Sequence, residues 1–254
     1  MSAAGEGQAR ELVAVLFDYG ETLVEFERPV DAIAAADAQI VALLAASGRQ
    51  VPPAPELRSR VLDRVEREVL EHQRSGELAE ISVVAASRHA YMEAGLDLDD
   101  TLLDEVLRIE QEAWWHGAHL DPEAVPVLDS LRRDGVRVGL CSNAPYRIAS
   151  LHAQLAFVGL EAHLDAVTFS AEVGWRKPSP RIFAAALDAL GAGAATTVMI
   201  GDSETHDIAG AHAAGMRALL LRRRGEHADS TADAVVTALA EVTGALRDMG
   251  LYWR

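Results

Sequence analysis

The sequence predicts an α/β protein built on a doubly wound parallel sheet, with an all-helical domain inserted near its start. Two observations carry that expectation. Short continuous apolar runs alternate along most of the chain with stretches of helical period, the pattern of strands covered on both faces by helices. Between residues 26 and 116 the alternation stops, and only helical patterns remain.

The first run, 12–17 (LVAVLF), ends at Asp18, which places a carboxylate at the carboxyl end of a buried strand. Further strands are expected at 136–141 (VRVGLC), 166–169, 197–200 (TVMI), 217–221 (RALLL) and 234–236. Helical patterns lie between them near 122–134, 145–158, 180–190, 206–214 and 237–248. Inside the interruption, four helices are expected near 29–47, 56–74, 77–94 and 99–115. Pro52, Pro53 and Pro55 separate the first two, and Gly76, Gly95 and Asp97 punctuate the rest. The expected division is a disordered N-terminus over 1–10, a sheet domain from 11–25 and 117–254, and a helical insert over 26–116.

Composition narrows the function. With 254 residues, 50% of them hydrophobic and 24% charged, the chain has the makings of a folded globular protein. A net charge of −16 opposes binding to nucleic acid or to anionic lipid, both of which need Lys and Arg against phosphate. The single cysteine, Cys141, excludes an intrachain disulfide and points to a reducing compartment, the cytoplasm. No run reaches the roughly 18 apolar residues of a membrane helix, and residues 1–10 do not resemble a signal peptide. All but one of the 23 basic residues are Arg, and the exception is Lys177. Arg222, Arg223 and Arg224 form a charge run of the kind that usually lies on a solvated surface.

Ligands of open parallel sheets bind beyond the carboxyl ends of the strands, so the residues that follow each strand are the candidates. After the first come Asp18, Tyr19, Gly20, Glu21 and Thr22; after the second, Ser142 and Asn143. Lys177 and Pro178 follow the third, and Gly201, Asp202, Ser203 and Asp207 the fourth. Phosphoryl transfer needs a nucleophile, a cation for the developing oxygen charge, and donors that hold the phosphoryl oxygens. Asp18 is a carboxylate able to form an aspartyl phosphate. Asp18 and Asp202 together suit Mg²⁺, which takes carboxylate, phosphate and water oxygens. Lys177 and the Ser142 hydroxyl can grip the transferring group, with Asn143 and Thr22 as further phosphate-binding positions. Asp207 is placed to orient Lys177 or the waters of the metal.

These four segments, in this order, resemble the four motifs of the haloacid dehalogenase-like hydrolase superfamily, in its branch with a helical cap (C1, subfamily IA). The likeness extends from about Leu12 to Val242, and is closest in the Lys-Pro-Ser-Pro-Arg-Ile-Phe segment and in 201–216. It implies a Rossmann-like core, a cap formed by the helical insert that selects the substrate, and a flap and hinge over 19–25. It also implies a Mg²⁺-dependent phosphatase acting on a small phosphorylated metabolite, as a monomer or homodimer, with the Gly20 carbonyl as a further metal ligand.

The first motif, Asp-Tyr-Gly-Glu-Thr-Leu, departs from the family. Its phosphatases usually carry a second aspartate, the general acid, two positions after the nucleophile; here Gly20 stands there and Glu21 follows. Losing such a group typically costs a factor of about 10²–10⁴ unless another supplies the proton. Glu21 is one supporting candidate, although a flap glutamate is more often simply solvated. Family dehalogenases also lack that aspartate, but they replace the metal-binding Gly-Asp with Ser and Asn, whereas Asp202 is retained here. Phosphonate hydrolases of the family use a cap lysine, and this insert contains none. The alternatives are phosphotransfer, dehalogenase-like displacement, or a catalytically weak binding or regulatory protein.

Overall fold

The computed structural model describes residues 10–223 and 229–253. The described residues fall into two compact units: 10–25 with Leu120–Ser142, 162–223 and 229–253, and Phe26–His119 with Asn143–Glu161. The second unit therefore takes in 143–161, a stretch that the expected insert of 26–116 leaves outside. Within that unit Arg147 explains the grouping: its guanidinium bonds both Asp104 oxygens at 2.6 and 2.7 Å, and its N–H donates to Gln111 Oε1 at 3.0 Å.

The first unit is built on a six-stranded, all-parallel sheet. Its strands are β1 (Ala14–Phe17), β2 (Arg137–Ser142), β3 (Ala166–Phe169), β4 (Thr197–Gly201), β5 (Arg217–Leu221) and β6 (Ala234–Val236). They lie side by side in the order β3-β2-β1-β4-β5-β6, the doubly wound Rossmann order. β1 is wholly buried because it is central and covered on both faces. Its Ala14 and Leu16 pack with Cys141, Met199, Leu220 and, from helix Pro180–Leu190, with Ile182 and Phe183. Full burial of each large aliphatic or aromatic side chain there contributes about 1.5–3 kcal/mol. Ser179 caps that helix, Pro180 begins it, and Gly191 ends it with φ 59°.

The expected strands are present, with the first starting two residues late at Ala14. Of the disordered N-terminus expected over 1–10, residues 1–9 lie outside the described ones, and Arg10 pairs with Leu251. Arg224 also lies outside them.

The second unit is helical, and its core is one cluster. Helix Val30–Ala46 presents Ile33, Ala36, Ile40 and Leu44, a stripe at helical spacing. Helix Asp100–Trp114 presents Leu103, Val106 and Leu107, and Asp99 caps it by accepting from Leu102 N–H at 2.9 Å. The helix expected over 77–94 spans only Val83–Glu93, because Ser82 caps it by accepting from Ala85 N–H. No described helix is long and apolar enough to cross a membrane.

Candidate active site

β1 and β4 flank the point where the strand order reverses, and the chain beyond their carboxyl ends brings Asp18 and Asp202 together. Asp18 is fixed at once, since its N–H donates to Ile200 O at 2.8 Å and so extends the β1–β4 pairing by one step.

Lys177 reaches the same point from the loop after β3. Its ammonium is 2% exposed and donates to Asp18 Oδ1 at 2.5 Å and to Asp207 Oδ1 at 2.6 Å. Burial alone would lower its pKa, but the charges of Asp18 and Asp207 outweigh burial and raise it, so the ammonium stays protonated. Asp207 gives its second oxygen to Ser203 N–H at 2.9 Å. It stands against the backbone of Gly201, where an added Cβ would meet the Asp207 carboxyl at 2.3 Å. Glycine at 201 is thus a packing requirement of the site.

One oxygen each from Asp18, Asp202 and Asp207 lies within 4.8 Å of the other two. Three carboxylates against one ammonium leave an excess of negative charge. Burial, opposed by Lys177 and reinforced by Asp207, pushes the Asp18 carboxyl up to about 6. Loss of hydration, followed by the charges of Asp18 and Asp207, pushes Asp202 up to about 6, although its side chain faces solvent. An all-oxygen set with surplus negative charge fits a hard divalent cation such as Mg²⁺. Because both Asp207 oxygens serve protein donors, Asp18 and Asp202 are the carboxylates that could hold such an ion, while Asp207 bonds Lys177.

The other sequence candidates sit as follows. Ser142 is buried at the end of β2, and Asn143, next in the chain, belongs to the helical unit. Thr22 is fully buried and its hydroxyl has no hydrogen-bond partner. Gly20 forms a bridge to Val24, and Glu21 is exposed at φ 58°. Arg223, expected at a solvated surface, instead donates to Thr22 O at 2.6 Å and pairs with Asp121. Its place after a buried strand was the available signal. Arg147, five residues past Ser142, forms an ion pair with Asp104.

A family model described as "haloacid dehalogenase-like hydrolase" matches residues 12–215, and the chain belongs to that family. It is 34% identical over 153 residues to phosphatase MT3486 of Mycobacterium tuberculosis (strain CDC 1551 / Oshkosh), a match covering 60% of this chain and 66% of that one. The chain spans between about half and two thirds of the length of the first curated relatives it matches. Among solved structures it is similar to a HAD phosphatase from Thermococcus onnurineus, with TM-score 0.62 and 26% identity over 92% of this chain and 98% of that one. It is also similar to a 2-haloacid dehalogenase from Pseudomonas syringae pv. Tomato DC3000, with TM-score 0.64 and 28% identity over 93% and 99%.

Proposed function

We propose that this member of the haloacid dehalogenase-like hydrolases is a Mg²⁺-dependent phosphatase that hydrolyses a small phosphorylated metabolite through an aspartyl phosphate on Asp18. The observation that carries the reading is the placement of Asp202 with Asp18 around the buried Lys177 ammonium. A carboxylate nucleophile for carbon–halogen displacement has no use for Asp202 at its side, whereas Asp207 would serve either chemistry by holding Lys177. A carboxylate that attacks an anionic phosphoryl group needs a cation there, and Asp202 with Asp18 would hold it.

In this reading an Asp18 carboxylate oxygen attacks phosphorus, the bond to the leaving oxygen breaks, and water then cleaves the aspartyl phosphate to free phosphate and restore Asp18. Lys177, held by Asp207, stays charged and neutralises phosphoryl oxygen. Ser142, with Asn143 and Thr22 as further candidates, supplies hydrogen bonds to the transferring group. Asp18, Asp202 and the Gly20 carbonyl would hold Mg²⁺, which supplies charge neutralisation and in-line orientation when bound. Gly20 has no proton to give, so protonation of the leaving oxygen falls to Glu21, to water, or to the acidity of the leaving group itself.

Turnover of p-nitrophenyl phosphate tests the reading, because that leaving group needs no proton. Mg²⁺-dependent hydrolysis is expected, and Asp18→Asn should reduce it to under about a hundredth while the protein stays folded. Halide release from 2-haloacids, undiminished by EDTA, with no phosphate release would establish the dehalogenase alternative instead.

A further inference from the structure

We infer that Arg223 is a positioning residue for the turn that follows Asp18: its guanidinium, oriented by Asp121, holds the Glu21 and Thr22 carbonyls and so fixes the Gly20–Glu21 corner. The inference rests on the phosphatase reading only for its kinetic consequence.

The turn is closed first by its own hydrogen bonds. Leu23 and Val24 N–H both donate to Tyr19 O, at 2.9 and 3.0 Å, and Glu21 N–H donates to Val24 O at 2.8 Å. Those bonds close the loop but use none of the carbonyls of residues 21, 22 and 23. Buried backbone carbonyls need partners, and Thr22 is fully buried. The partners come from two places. Asp121 N–H donates to Leu23 O at 2.9 Å. Arg223 Nη2 donates to Thr22 O at 2.6 Å, and Nε makes a longer approach to Glu21 O at 3.4 Å. Arg223 Nη1 pairs with the Asp121 carboxylate, whose other oxygen accepts from Glu123 N–H at 2.7 Å. The side chains of Arg223 and Asp121 are 22% and 10% exposed, so the assembly is largely shielded from water and salt.

Two further features make the clamp necessary. Glu21 holds φ 58°, a left-handed conformation that a residue other than glycine keeps only when its surroundings impose it. Bonds from outside the turn to carbonyls 21 and 22 add to the constraint that the turn's own Glu21 N–H to Val24 O bond places on that residue. The chain also leaves the sheet unit after Glu25 and re-enters at Leu120, so Arg223 binds the turn and Asp121 beside both crossings. β5 delivers the arginine: Arg222 N–H donates to Val236 O at 2.8 Å, continuing the β5–β6 pairing, and Arg223 lies two residues beyond Leu221 at the carboxyl end of the sheet. A planar fork suits the task, since it serves two carbonyls and a carboxylate at fixed angles.

Arg223→Met and Arg223→Lys test the inference in the full chain by hydrogen exchange and by kinetics on p-nitrophenyl phosphate. In Arg223→Met the amides of 18–25 should exchange about tenfold faster or more, while those of the helical unit keep their rates. The kcat should fall by about 10–100-fold with KM changed less than threefold, the signature of a displaced reacting group. Arg223→Lys keeps a charge opposite Asp121 without the fork. It should recover most of the thermal stability, but neither the exchange protection nor kcat. Unchanged exchange at 18–25, acceleration spread evenly over the chain, or full recovery of kcat by lysine would each overturn the inference. If the wild type hydrolyses no phosphate ester, the phosphatase reading fails alone, and the exchange data still decide whether Arg223 holds the turn.

Discussion

Lys177 is the chain's single lysine, and its ammonium is almost entirely removed from water, a position that is costly for an ion without close partners. Asp18 and Asp207 are those partners, and the dependence is mutual. Lys177→Met should leave two buried carboxylates facing each other, lowering stability by about 3–5 kcal/mol and abolishing phosphatase turnover. Chemical denaturation and the p-nitrophenyl phosphate assay measure the two losses. A stable, active Met variant would remove Lys177 from the site. These residues were legible in the sequence because each stands just beyond a recognisable apolar run and has an unambiguous chemical type: an acid after β1, an acid after β4, the lone lysine between them. Arg223 had only its place after β5 as a signal. Three successive arginines read as solvated charge, and what holds the middle one is Asp121, 102 positions away. No local pattern contains that pairing.

At the scale of elements, the runs 166–169 and 217–221 coincide with β3 and β5; β5, covered on both faces, leaves a nearly continuous apolar signature, and the half-buried edge strand β3 a weaker one. Their order across the sheet was not written in that signature, since periodicity identifies strands and not neighbours. Helix starts were the weaker part. Residues 77–82 carry no helix, as Ser82 takes the capping position and Glu80 Oε1 accepts Ile81 N–H at 3.0 Å. The last helix begins at Val242 rather than 237, after a short 3-10 turn over Leu239–Glu241.

Helix Asp100–Trp114 also carries a testable electrostatic feature. Burial, opposed by Arg58 and reinforced by Asp37, Glu66 and Asp63, pushes the Glu110 carboxyl up to about 7. The folded form therefore holds a proton that the unfolded chain, near 4.5, has released, so this group's contribution to stability falls as pH rises from about 4.5 to about 7. Glu110→Gln removes the charge and keeps the shape. It should be neutral below pH 4.5 and stabilise by about 1–2 kcal/mol above pH 7, as read from thermal midpoints across that range. A variant no more stable than wild type at pH 8 would mean that Glu110 is ionised and satisfied in the fold.

At the scale of the whole molecule, the fold does not select the reaction. Solved structures similar to this chain include both a HAD phosphatase and a 2-haloacid dehalogenase, at TM-scores of 0.62 and 0.64. Function resides in the site carried by the fold. In this chain that site is the acidic set around Lys177, at the point where a doubly wound sheet reverses direction, together with the Gly20–Glu21 turn that follows Asp18. The net charge of −16 bears on partners and not on chemistry, since it works against binding to polyanions such as nucleic acid.

The proposed attack of an Asp18 oxygen on phosphorus is tested most directly by acid-quenched mass spectrometry during turnover. Protein mixed with p-nitrophenyl phosphate and Mg²⁺, quenched within one turnover and digested, should yield a phosphoryl adduct on Asp18 that is absent from Asp18→Asn. Steady phosphate release with no adduct, or an adduct on a different residue, would contradict it.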